Sequence, residues 1–161
     1  MRARNKILII WITLLIGLCL QIIPWSSPYN MFKPHLLMLF FAYWFIALPH
    51  RVGIGTAFVF GIIVDLCSGS ILGIHAFIYS FIAYLLVFRF QLIRNLALWQ
   101  QSFIIFGISI CYSLLVFLFQ VSIYHTITIS PLILLSSFVD GLLWIFVYLF
   151  LRLIRRNFSI N

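Results

Sequence analysis

Acidic residues are nearly missing from this chain: among 161 residues there are two, Asp65 and Asp140. Charged residues of both signs make up 7%, against about 25% in an ordinary soluble domain. That shortage excludes a water-facing surface of normal size. Two carboxylates without any nucleophile–base spacing also leave no catalytic set. A glycine-rich phosphate loop of Walker type is absent, so nucleotide hydrolysis is not expected. Cysteine is scarce as well. Cys19, Cys67 and Cys111 are odd in number, lie in apolar stretches and form no CxxC pair. They read as small membrane-buried side chains, not as a disulfide framework or thiolate metal site. The histidines His35, His50, His75 and His125 fall at or near expected helix ends. No two have the i,i+3 or i,i+4 spacing of a zinc site, so interface placement is expected, with no metal and no cofactor.

What the chain has in quantity is apolar surface. Hydrophobic residues make up 65% of it, far more than a soluble core of this length can hide. The implied solvent is lipid. A spanning helix takes about 20 apolar residues. The apolar runs predict an all-α integral membrane protein, a six-transmembrane-helix bundle filling a single polytopic domain over 1–161. The expected helices are 7–23, 35–48, 54–67, 71–88, 103–123 and 132–151. The basic start and first apolar run resemble a signal peptide, but no A-x-A-like cleavage site follows, and an uncleaved first helix is expected. Pro24 and Pro28 end it, and Trp25 and Tyr29 suit the aromatic belt of the far interface. Pro34 and Pro49 bracket the second helix, and Ser130-Pro131 opens the sixth. The second and third helices are short for a bilayer, which implies extended ends, local thinning or a re-entrant hairpin; two short full spans are favoured, because a hairpin would sink His50 and Arg51 to depth. The stretch 89–101 reads as a mildly amphipathic linker lying along the interface.

The formal charge of +8 is distributed as a topology signal and not as a nucleic-acid footprint. Arg2, Arg4, Lys6, Arg51, Arg89, Arg94, Arg152, Arg155 and Arg156 fall on one side of the six-helix scheme, and Lys33 alone on the other. The positive-inside rule then puts both termini in the cytoplasm.

Three features stand out for interaction. Gly53, Ala57, Gly61 and Asp65 recur every fourth position and continue to Gly69 and Gly73. Spacing of four keeps small residues near one helix face, which lets another helix approach closely. The approaching helix belongs either to the same chain or to a partner. Asp65 either fixes the turn after its helix, through Ser68, Ser70 or a backbone N–H, or serves a partner or ion. Asp140 lies deeper, and its possible neighbours are His35, His75, Ser109 and Ser113; a helix-to-helix hydrogen bond and a proton relay are the two readings.

The string Ala47-Leu48-Pro49-His50-Arg51-Val52-Gly53, continued by Gly61-x-x-x-Asp65-Leu66-x-Ser68-Gly69-Ser70-x-Leu72-Gly73, forms one block. Gln91-Leu92-x-Arg94-Asn95-Leu96-Ala97-Leu98-Trp99-Gln100-Gln101 forms a second, and Val139-Asp140-Gly141-x-x-Trp144 is less distinctive. With this length and hydropathy, the whole chain resembles the MreD family of rod shape-determining proteins of gamma-proteobacteria. The resemblance implies a non-enzymatic inner-membrane scaffold or regulator of the cell elongation complex, acting in lateral peptidoglycan synthesis. The implied partners are a bitopic MreC-like protein, an MreB-like filament and a RodA/PBP2-type peptidoglycan synthase. The family also resembles, more remotely, the six-helix substrate-binding subunit of energy-coupling-factor transporters. That likeness supports six spans and supplies the rival function, a solute-binding transport subunit. In the scaffold reading the seam from Gly53 to Asp65, with Gly69 and Gly73 of the turn that follows it and Asp140, meets the partner. Arg51, Arg89 and Arg94 then face the cytoskeletal side or the anionic leaflet.

Overall fold

The computed structural model describes residues 2–24, 32–124 and 133–157, with side chains described over 7–24, 32–122 and 134–157. Among these, all regular structure is helical: α1 (Arg2–Ile22), α2 (Leu36–Ala47), α3 (Ile54–Ser68), α4 (Ile74–Arg94), α5 (Leu98–Tyr124) and α6 (Ile133–Asn157). Trp25, Tyr29, His125 and the Ser130-Pro131 helix opening lie outside the described residues.

Among the described residues, three helices are long and apolar enough to cross a membrane: Ile74–Arg94, Leu98–Ser122 and Leu134–Asn157. The apolar segments Ile7–Ile22, Leu36–Ala47 and Ile54–Ser68 are shorter. The shortest, α2, has 12 residues and so rises about 18 Å. It is apolar on every face, and its residues Leu37 to Ile46 are all buried. A helix apolar all round belongs inside a bundle, and α2 packs between α1, α4 and α6. Its ends follow from the two prolines. Pro34 has no N–H to leave unpaired ahead of the first turn. Pro49 pushes Leu48 out of helical geometry, to φ −145°.

The closest helix pairings are α3 with α4 and α5 with α6. The turn between α3 and α4 depends on two glycines in the left-handed region, Gly69 at φ 64° and Gly73 at φ 105°. Gly69 closes α3 by returning its N–H to the Asp65 carbonyl. Gly73 then opens α4 at Ile74, three residues later than the sequence predicts. Residues 71–73 are spent on reversing the chain.

The amphipathic linker expected over 89–101 does not form as such. Helix α4 continues through Arg94, only Asn95, Leu96 and Ala97 are non-helical, and α5 begins at Leu98. Arginine and glutamine are good helix formers, so polarity did not end the helix. Two side chains hold the short turn. Gln101 donates from Nε2 to the carbonyls of Ile93 and Leu96, both at 3.1 Å, closing the end of α4. Gln100 accepts the Ala97 N–H at 3.2 Å, the return half of a capping box at the start of α5. The basic ends of α1 and α6 are likewise helical, to Arg2 and Asn157, beyond the apolar runs.

Candidate functional site

Two carboxylates in lipid need donors, and the fold supplies them from helix starts. The first turn of a helix leaves four N–H groups without intrahelical partners. Inside a membrane no water satisfies them. Both Asp65 and Asp140 are wholly buried, and each is placed at the N-terminus of another helix.

Asp65, in the last turn of α3, meets the start of α4. One carboxylate oxygen accepts the Ser70 hydroxyl at 2.8 Å, the His75 ring N–H at Nδ1 at 2.7 Å and the His75 backbone N–H at 3.1 Å. The other accepts the N–H groups of Gly73 at 2.9 Å and Ala76 at 3.3 Å. The Ser70 hydroxyl and three backbone N–H groups thus all donate to this one carboxylate. The positive end of the α4 dipole adds to this.

Asp140, in α6, repeats the arrangement on α2. One oxygen accepts the His35 backbone N–H at 2.8 Å. The other accepts the His35 ring N–H at Nδ1, at 2.7 Å, and the Ser109 hydroxyl from α5. Thus α2, α5 and α6 meet at one carboxylate. Because α2 is short, its start lies inside the bundle, where Asp140 accepts the N–H of its N-cap residue, His35.

The two sites adjoin. The Tyr112 ring of α5 lies 4.6 Å from that of His35 and 6.3 Å from that of His75, centroid to centroid. Tyr79 of α4 lies 5.6 Å from Tyr112. Two Asp–His–Ser sets therefore flank one tyrosine at one end of the bundle. Their wiring is not that of a hydrolytic triad. In a triad the serine sits on the imidazole nitrogen opposite the carboxylate. Here Ser70 and Ser109 donate to the carboxylate itself. Among the described residues, no group of three or more His, Cys, Asp or Glu side chains is arranged to hold a metal.

The glycine seam faces inward. A Cβ on Gly61 would lie 2.6 Å from the Ala76 backbone nitrogen and 2.8 Å from the His75 carbonyl oxygen, and against Ala76 Cα. Gly61 is thus what lets α4 approach closely enough for Asp65 to reach it. Ala57, Gly61 and Asp65 share this buried face, whereas Gly53 and Gly55 look onto open space.

The family model of the rod shape-determining protein MreD matches residues 1–154. The chain belongs to the MreD family. It is 35% identical to the rod shape-determining protein MreD of Haemophilus influenzae over 162 residues, covering 98% of this chain and 99% of that one. No solved structure matches the chain. Family and apolar helices together make it a rod shape-determining membrane protein.

In this MreD family member the structure joins Asp140 to His35 and Ser109, two of its four candidate neighbours. His75 goes to Asp65 instead, and the buried Ser113 hydroxyl has no partner among the described residues. Arg51, Arg89 and Arg94 are exposed, in the α2–α3 turn and the last two turns of α4. With Arg152, Arg155 and Arg156 on the last turns of α6, they mark the end opposite the carboxylates. Lys33 precedes α2 at the carboxylate end, and partial burial lowers its ammonium below the ordinary lysine value. Sequence reasoning missed Tyr112, and also the Trp44 indole N–H donated to the Thr13 hydroxyl at 3.0 Å, which ties α1 to α2. Neither pair has a spacing signal, because each crosses between helices.

Proposed function

We propose that this chain is a non-enzymatic scaffold of the bacterial cell elongation complex in the inner membrane, crossing six times with both termini in the cytoplasm. The observation that carries this reading is the use of the carboxylates. Both are spent on the chain's own helix starts, binding α3 to α4 and α2 to α5 and α6. That chemistry makes a rigid body with fixed outer faces, as a scaffold requires. The six helices and the cations gathered at one end support the topology. The remote likeness to energy-coupling-factor substrate-binding subunits agrees with six spans and supplies the rival reading, a solute-binding transport subunit.

The proposed partners are a bitopic MreC-like protein, which meets the bundle within the membrane, and an MreB-like filament with a RodA/PBP2-type synthase in the same assembly. The proposed contact is the outward face of α3, where Ile54, Phe58, Val59 and Leu66 are exposed. Ala57, Gly61 and Asp65 act on it from within, by setting how α3 lies on α4; Gly69 and Gly73 shape the turn that joins the two helices, Gly53 borders the contact in open space, and Asp140 acts through α2. Arg51, Arg89 and Arg94 face the cytoplasmic leaflet and the filament.

One observation favours a second reading. Two histidine edges and a tyrosine converge at the carboxylate end, and solute sites are built from convergent polar groups. Affinity purification of the full chain from native membranes in mild detergent separates the two. Recovery of an MreC-like protein or the elongation synthase supports the scaffold. Recovery of an ATPase pair with a coupling subunit overturns it in favour of transport.

A further inference from the structure

The chain cannot neutralise its own cations, because its two side-chain carboxylates are bound at the opposite end. One of those cations borders a cavity. Between the start of α1 and the α2–α3 turn lies a space of about 360 Å³, within the size range of small-ligand sites. Its floor is apolar and buried, formed by Ile10, Leu14 and Val52. Trp11, 40% exposed, forms an open wall. Its rim carries Arg51 and His50, both exposed. The Thr56 hydroxyl at the margin is already donated to the Gly53 carbonyl at 2.6 Å. The free cationic, donating capacity of the rim is therefore that of Arg51.

A hydrocarbon floor under a guanidinium rim, at the end of a membrane bundle, has the polarity profile of one ligand class. From this lining we infer that the cavity binds an anionic phospholipid, one whose phosphate has no headgroup cation of its own to offset it. The phosphate takes the Arg51 guanidinium in a forked, charge-assisted contact, with the His50 ring beside it. The first part of a hydrocarbon chain lies along Trp11 over Leu14. About a dozen water-sized units fill the space at roughly 30 Å³ each. That is room for a headgroup and a few methylenes, and far too little for a partner helix about 10 Å across. Arg94 is exposed at the same end and is not part of the cavity lining.

The test is native mass spectrometry of the full chain, released from micelles holding equal amounts of long-chain phosphatidylglycerol and phosphatidylcholine. Wild type retains phosphatidylglycerol over phosphatidylcholine by about tenfold, the loss expected when one charge-assisted contact is removed. Arg51→Gln brings the ratio close to one, Arg51→Lys restores part of it, and Arg94→Gln leaves it unchanged. Thermal melting of Arg51→Gln at the wild-type temperature shows that the fold is intact. Equal losses in Arg51→Gln and Arg94→Gln would mean undirected attraction between basic end and anionic lipid, and would overturn the site. Displacement of the lipid by inorganic phosphate, or equal retention of a six-carbon-chain phosphatidylglycerol, would assign the rim to free phosphate and overturn the role of the apolar floor.

Discussion

Asp140 shows why an ionisable residue is tolerated in this interior. Its value lies in the number of donors it collects, not in any one of them. A single interhelical hydrogen bond in a membrane protein averages about 0.6 kcal/mol. Leaving a buried donor without its acceptor costs about 1–3 kcal/mol. Asp140→Ala strands the His35 ring, the His35 backbone N–H and the Ser109 hydroxyl together. The expected loss is about 3 kcal/mol, against about 1 kcal/mol for Ser109→Ala, which removes one donor only. Unfolding of each variant in mixed micelles by a titrated denaturing detergent checks the ratio; equal losses would mean that the carboxylate does no more than a single hydrogen bond. A double-mutant cycle on Asp65→Asn and His75→Ala is expected to show coupling of about 1 kcal/mol or more, since the two share ring and backbone contacts. Additive losses in the cycle would deny the pair.

At the scale of helices, the α3–α4 hairpin is governed by one hydrogen atom. Gly61→Ala drives a methyl into the Ala76 backbone, which has no rotamer to yield, so the helices separate. Overpacking of this kind costs about 1–3 kcal/mol, and the Asp65 contacts to Ala76 and His75 lengthen with it. Gly55→Ala, on the same helix with open space around it, is expected to be neutral or slightly stabilising through helix propensity. Melting both variants side by side decides whether the seam works within this chain; equal stability of the two would remove α4 as its occupant. Sequence spacing showed the seam but not its occupant, since a stripe of small residues has the same pattern whichever helix fills it. The turn at 95–97 was hidden for a related reason. Arg89 to Gln101 reads as amphipathic, and the polar positions that suggest an interface are the ones that cap two helices. Gln101→Ala removes both donors to the end of α4 and is expected to lower stability by about 1 kcal/mol; an unchanged melt would deny the cap.

At the scale of the whole bundle, charge and carboxylate are sorted to opposite ends. Sequence alone carried much of this. Six apolar runs, the prolines and the one-sided cations were all legible, because each depends on local composition. Asp140 with His35 and Ser109 was legible as a set of options, whereas His75 on Asp65 was not. That contact spans a reversal built on two positive-φ glycines, and no periodicity carries across it. The sorting has a consequence for insertion. The turn at Ser70 lies at the carboxylate end and Arg94 at the basic end. The proposed topology, which rests on the cation bias, has the first in the periplasm and the second in the cytoplasm. Reporter fusions after Ser70 are expected to be active only for a periplasmic reporter, and fusions after Arg94 only for a cytoplasmic one. Because α2 and α3 are short, their hairpin at Arg51 is the weakest topological element, held by a single cation in its turn. Arg51→Glu is therefore expected to mix the orientation of the Ser70 fusion while leaving the Arg94 fusion, backed by the six other arginines and lysines at or near the two chain termini, cytoplasmic. Inversion of both fusions together would mean that the bundle inserts as one unit and that its hairpins hold no separate vote.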